Sequence, residues 1–392
     1  MRTEALAALC LLLPVAGLAG TLEGEPFLRY RVEHDSNLFR LESEAQAEQL
    51  TGDPERGDRL QVLGVGAALQ YSWGLQRAFV GAEARRQRYQ RNPQLDHSGH
   101  ELQAGLDWQA GRALDGELRL DQEKRIQSFN EREDRALGFV EERRLEAAAR
   151  LAVTPRYGFR AQVENRQSRN SLLRSRFSDL DENSLRLEAL YTGEPVASAG
   201  LALDLAVGRY PARQAGNGVT REYEQIGLNL TSDWRPSGLS RLSGEIGQTF
   251  RDNDGGEDDF SGLTGRLAYQ RTVSGKTRLT AELFRRVESV EEIDANYVEE
   301  TGLGLGLNWQ AMSKIGLFGR YEWREAAYEG GTASADGGRE DRIQQADLKL
   351  DWRPLTGFTL TPGLLYEQRD SNRALRSFED VRLYLDLEAR YD

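Results

Sequence analysis

The chain ends in Val381-Arg382-Leu383-Tyr384-Leu385-Asp386-Leu387-Glu388-Ala389-Arg390-Tyr391, where the odd positions are apolar and every even one but Tyr384 is charged. Successive side chains of a β-strand point to opposite faces, so this period of two describes a strand with one greasy and one wet side. Its length of about ten residues is what a tilted membrane-crossing strand needs. The same reading applies upstream. Leu63, Val65, Ala67, Leu69, Tyr71 and Trp73 alternate with small or polar residues, as do Leu102 to Trp108 and Leu303 to Trp309.

The apolar runs end at positions that recur every 35 to 45 residues, aromatic except for Val153: Trp73, Trp108, Val153, Tyr191, Trp234, Tyr269, Trp309, Trp352 and Tyr391. Each stands next to a short connection such as Arg235-Pro236-Ser237-Gly238 or Arg353-Pro354-Leu355-Thr356-Gly357, which is turn chemistry. On the other side of the strands the connections are long and charged, over 35–58, 91–99, 121–143, 167–184, 211–221, 252–259, 288–298, 325–341 and 369–379. Nine long and eight short connections join about 18 strands. This is the pattern of an all-β, antiparallel up-and-down barrel of the bacterial outer-membrane type, and the aromatic series reads as its periplasmic girdle. Closure follows from physics, since hydrocarbon offers no partner to the backbone groups of a free sheet edge. A β-propeller or a soluble sandwich is the rival, but propeller blades need four short strands rather than uninterrupted alternations of ten.

Composition narrows the function. The 392 residues hold 51 Lys plus Arg against 63 Asp plus Glu, a net charge of −12 that excludes a basic nucleic-acid surface. With a mean hydropathy of −0.63, no stretch after the N-terminus is apolar enough for a membrane helix. Residues 1–19 read as a signal peptide, with Arg2, an apolar run from Ala5 to Leu13, and small residues Gly17 and Ala19 before cleavage. That leaves 20–392 as a single barrel domain in the outer membrane, surrounded by its lipid bilayer. The only cysteine, Cys10, lies within the leader, so no disulfide is expected.

No residues point to a catalytic, cofactor or metal site. His97 and His100 lie in what reads as a polar hairpin loop and lack a third ligand. Gly302-Leu303-Gly304-Leu305-Gly306 and Gly64-Val65-Gly66 are small lumenal positions, because strand rather than a helix continues after them. The acidic stretch 252–259 lacks the closing Glu of a calcium loop. The polar strand faces place Arg29, Arg31, Glu33, Asp107, Arg160, Gln162, Glu164, Arg166, Arg382, Tyr384, Asp386, Glu388 and Arg390 in the lumen. The arginines there suit either structural ion pairs or contact with a solute.

Asp35-Ser36-Asn37-Leu38-Phe39-Arg40-Leu41, at the end of the first strand, resembles the opening of EpsL-type outer-membrane proteins of exopolysaccharide loci, a class of β-barrel porins. Read from the residues alone, Asp35 and Asn37 form an Asx turn while Leu38, Phe39 and Leu41 pack at the strand end. The terminal Asp392 departs from the aromatic that usually closes such barrels. The resemblance implies a non-enzymatic conduit for exopolysaccharide, partnered by the polymer and a periplasmic polysaccharide export protein. The alternatives are a general diffusion porin, marked by a long loop folded into the lumen from 35–58 or 121–143, and an outer-membrane hydrolase or surface-binding protein.

Overall fold

The computed structural model describes residues 20–391 except 131–134, 194–195, 214–219, 255–258, 291–294 and 331–337. The stretch 1–19 read as a signal peptide, with Cys10, the terminal Asp392 and the centre of the acidic stretch lie outside the described residues.

Eighteen strands follow one another. The first six are β1 (Thr21–Asp35), β2 (Asp58–Trp73), β3 (Gln76–Tyr89), β4 (His97–Ala110), β5 (Leu114–Ile126) and β6 (Phe139–Ala152). Next come β7 (Tyr157–Asn170), β8 (Leu180–Thr192), β9 (Ala197–Arg209), β10 (Glu222–Ser237), β11 (Ser240–Asn253) and β12 (Phe260–Ser274). The last six are β13 (Thr277–Glu288), β14 (Tyr297–Met312), β15 (Ile315–Glu329), β16 (Arg339–Leu355), β17 (Phe358–Ser371) and β18 (Phe378–Arg390). Every strand pairs antiparallel with its sequence neighbours, and β1 pairs with both β2 and β18, from Phe27 opposite Arg390 to Asp35 opposite Arg382. The sheet therefore closes on itself with no edge left for lipid to meet.

The strands run 12 to 17 residues, longer than the ten of the apolar alternations. Charged residues read as loop, such as 121–126 and 139–143, instead continue the ladder above the membrane, because both faces of the wall are wet there. His97 and His100 likewise belong to β4 rather than to a loop.

The register keeps one parity around the barrel. On β14, Leu303, Leu305 and Leu307 face lipid while Gly302, Gly304 and Gly306 face inward opposite Arg324, Glu322 and Arg320. The outward leucines are half-exposed, as Leu305 is at 50%, which only a hydrocarbon surrounding makes favourable. An apolar depression of 1030 Å³ between β5 and β12, lined by residues such as Leu187, Leu201 and Leu228, belongs to this lipid face. Seven of the eight aromatics read as a girdle take the outward parity at the short-turn end, and Tyr391, past the end of β18, is exposed. Among the described residues no helix is long and apolar enough to cross a membrane.

Candidate functional site: the lumen and its extracellular mouth

The lumenal wall is held by ion pairs that follow the strand register. Arg31 makes two hydrogen bonds of 2.6 Å to Asp386 across the closing seam and lies 4.4 Å from the ring centre of Tyr384. Arg29 bridges Glu388 at 2.7 Å and Glu83 at 2.9 Å, and Arg31 also reaches Glu33 at 3.4 Å. Asp107 receives both Arg77 and Arg119, Glu164 pairs with Arg144 at 3.0 Å, and Arg160 stands 3.6 Å from Glu117. Arg382 holds Asp380 and Glu367, while Arg390 pairs with Glu388 and Glu25. Gln162 and Arg166 share the lumenal face but make no hydrogen bond or ion pair among the described residues. All thirteen residues read as lumenal stand on the inward parity, and most of the arginines are structural partners first.

Of the lumenal aromatics that interrupt the polar face, the sequence reading named only Tyr384. Phe27 stands opposite Gly66, Phe79 opposite Gly105, Phe284 opposite Gly302, Tyr384 opposite Gly363 and Tyr223 opposite Gly208. A Cβ at any of these glycines meets the ring within 2.2 to 2.7 Å, so the ring lies flat over its cross-strand glycine. The register signal was an aromatic paired with a glycine, legible only once the strands are aligned.

The wall differs around its circumference. On β9 the inward positions are mostly Gly, Ala and Ser, and on β10 to β12 and β14 small residues such as Gly227, Gly247, Thr264, Gly304 and Gly306 alternate with polar ones. They leave a lumenal recess of 960 Å³ bordered by Arg186, Thr249, Thr264, Thr280, Glu282 and Asn308. Arg186 on β8 reaches past two strands to Glu245 at 2.7 Å and also binds Asp204 at 3.0 Å, which only short side chains between them permit.

The extracellular mouth is narrowed from two sides. The stretch 36–57 after β1 folds into a cap containing a short helix, α1 (Glu44–Thr51), with Ser43 as its N-cap. Asn37 donates its backbone N–H to Asp35 at 2.8 Å, completing the Asx turn read from the sequence. Leu38, Phe39 and Leu41 pack with Leu60, Tyr89, Leu95 and Phe129. Arg40, in the left-handed region at φ 57°, pairs with Asp35 and Asp380. Burial desolvates Arg40 and alone lowers its pKa, but the two carboxylates outweigh this and hold it above its ordinary value.

Beneath this cap, residues 127–130 after β5 turn inward. Phe129 meets Phe39 edge-on with ring centres 4.9 Å apart. Asn130 donates to Glu367 at 3.0 Å, and its carbonyl accepts from Arg369 at 2.9 Å. Glu367 and Arg369 are lumenal residues of β17, six strands away from β5 around the barrel. A loop that reaches them crosses part of the lumen. On the opposite side Arg213 donates to the carbonyls of Phe177 and Thr220, and the Thr220 N–H donates to Asn296, joining three further loops. Burial lowers the pKa of Arg213 from its ordinary value.

No chemistry is gathered. His97 is inward and buried, with its Nδ1 2.8 Å from the Leu95 carbonyl, whereas His100 faces outward, so the two cannot share a metal. Among the described residues no group of His, Cys, Asp and Glu is arranged to hold a metal ion.

No protein-family model matches the chain, and no curated protein matches it by sequence. Solved structures do match its fold. OccK2 (OpdF) of Pseudomonas aeruginosa is 10% identical, with 94% of this chain and 98% of that one covered and a TM-score of 0.52. The outer membrane protein OpdK of the same organism is 12% identical over 94% and 99%, with a TM-score of 0.48. FauA, the alcaligin outer-membrane receptor of Bordetella pertussis, is 9% identical over 94% and 76%, at 0.41. The fold is that of an outer-membrane β-barrel, whose closed sheet and apolar outer face suit a bilayer. The reading as an exopolysaccharide conduit is corrected. The fold is shared with OccK2, no family model supports an EpsL-type assignment, and residues 127–130 after β5 take the inward course that marked the diffusion-porin alternative. Exopolysaccharide and a periplasmic export protein fall away as partners with it.

Proposed function

We propose that this protein is a passive outer-membrane diffusion channel for small hydrophilic solutes, delivered to the membrane by the leader at 1–19. The observation that carries the reading is the seating of Asn130 on Glu367 and Arg369, which brings residues 127–130 after β5 into the lumen of a barrel otherwise wide enough for an aqueous channel. Hydrophilic solutes suit the wall that remains, where Thr, Asn, Gln and neutralised ion pairs exchange hydrogen bonds with water at little cost. The thirteen lumenal residues named from the sequence act in this reading as pore lining, with Gln162 and Arg166 the ones whose polar ends are open to a passing solute.

Liposomes containing the refolded barrel test this reading. Swelling in isosmotic arabinose or glycine is expected to be fast and to slow with solute size, with dextran excluded. Liposomes that hold heat-modifiable, folded barrel yet stay impermeable to every small solute would contradict it.

A further inference from the structure

We infer that the outward extracellular edge of β2 to β6 is a docking face for the phosphates of outer-leaflet glycolipid. Around most of the barrel, outward arginines at this level are neutralised by a carboxylate on the neighbouring strand. Arg169 meets Asp181 at 2.5 Å, Arg209 meets Glu222 at 3.2 Å, Arg285 meets Glu299 at 2.7 Å and Arg342 meets Glu325 at 3.5 Å. On β2 to β6 the pattern breaks. Arg59, Arg86, Arg88 and Arg143 all take the outward parity, are exposed, and have no carboxylate within ion-pair distance among the described residues. Arg86 reaches only the Ser98 hydroxyl, at 3.3 Å. The single outward acid among them, Glu141, is taken by Lys124 at 3.2 Å.

Position gives the partner. These residues lie in the first or last few positions of their strands on the long-loop side, so they stand at the outer leaflet. Directly below, on the same strand faces, Leu63 and Leu145 are 48% and 46% exposed and belong to the hydrocarbon band. A ligand that meets cations above and acyl surface below is an anionic lipid. The face spans four strand spacings, about 20 Å, which fits more than one phosphate. Guanidinium groups without internal acids bind phosphate by paired hydrogen bonds, whereas the neutralised arginines elsewhere gain nothing from it. This inference rests on the outer-membrane barrel and is independent of what passes through the lumen.

The test titrates folded barrel in detergent with diphosphoryl lipid A, with its dephosphorylated counterpart and with inorganic phosphate, reading bound lipid by native mass spectrometry. The phosphorylated lipid is expected to bind in preference. The fourfold variant Arg59→Gln, Arg86→Gln, Arg88→Gln and Arg143→Gln should weaken it by at least about tenfold. The control Arg209→Gln, Arg285→Gln and Arg342→Gln should leave the affinity within about twofold. Equal binding of the dephosphorylated lipid, wild-type affinity in the fourfold variant, or displacement by millimolar inorganic phosphate would each overturn the inference. If the fourfold variant does not fold, a salt titration of the unaltered protein decides. Affinity falling steeply with NaCl supports the phosphate contact, and a flat response refutes it.

Discussion

The lumenal wall has two unlike arcs. From β3 to β8 it carries long charged side chains locked to one another, as with Arg77 and Arg119 on Asp107 or Arg144 on Glu164. From β9 to β14 small residues such as Gly227, Thr264, Gly304 and Gly306 break up the charged ones, and the 960 Å³ recess lies against them. Both arcs present the same backbone ladder and the same greasy outer face, so the difference is entirely one of inward side-chain volume. A barrel of fixed strand number can thus shape its channel without changing its frame. Ion pairs fill one side with little net gain in stability, and small residues leave the other side to water.

The comparison breaks first if the small residues do not face water. Leu305→Arg on the outer face of β14 should cost about 2 to 4 kcal/mol in urea unfolding from bilayers, whereas Gly304→Arg beside it should cost much less. Equal costs would reverse the assigned faces. The next effect is on flow. A Cβ at Gly304 finds its nearest neighbour 3.7 Å away, so Gly304→Trp fits the wall and projects into the recess. It should lower single-channel conductance by about half or more, while Arg160→Trp in the charged arc should change it little. Similar losses at both positions would show that the recess is not the path. The smallest effect is expected within the charged arc itself. Glu164→Gln frees half-exposed Arg144 and should shift stability by no more than about 1 kcal/mol, because water solvates the released guanidinium. A larger loss would mean that the ladder is a dry structural core.

Much of this wall was legible beforehand because its signal is local. The alternation from Val381 to Tyr391 fixes which side chains face lipid, and Trp73 or Trp309 marks the turn end without any knowledge of neighbours. Strand lengths were underestimated because the charged ends at 121–126 and 139–143 carry no apolar stripe once above the membrane. The Phe27 and Gly66 pairing was hidden for a different reason, since a lumenal aromatic looks like a break in the pattern until the register supplies its glycine. The narrowing of the mouth was hidden most completely. Asn130 and Glu367 are 237 positions apart and Asn130 belongs to no periodic segment, so nothing in the order of residues announces their contact. The resemblance carried by Asp35 to Leu41 pointed to a turn that is present and to a function that the fold comparisons do not support.

The central claim is that the inward loop after β5 sets the size of the channel. Single-channel conductance in planar bilayers measures it directly, comparing the full chain with a variant in which residues 128–137 are replaced by a four-residue Gly-Ser turn. The account predicts stable openings for the full chain and a clearly larger conductance, with larger sugars admitted, for the shortened one. Equal conductance and an unchanged size limit in a shortened barrel that folds and inserts normally would contradict it.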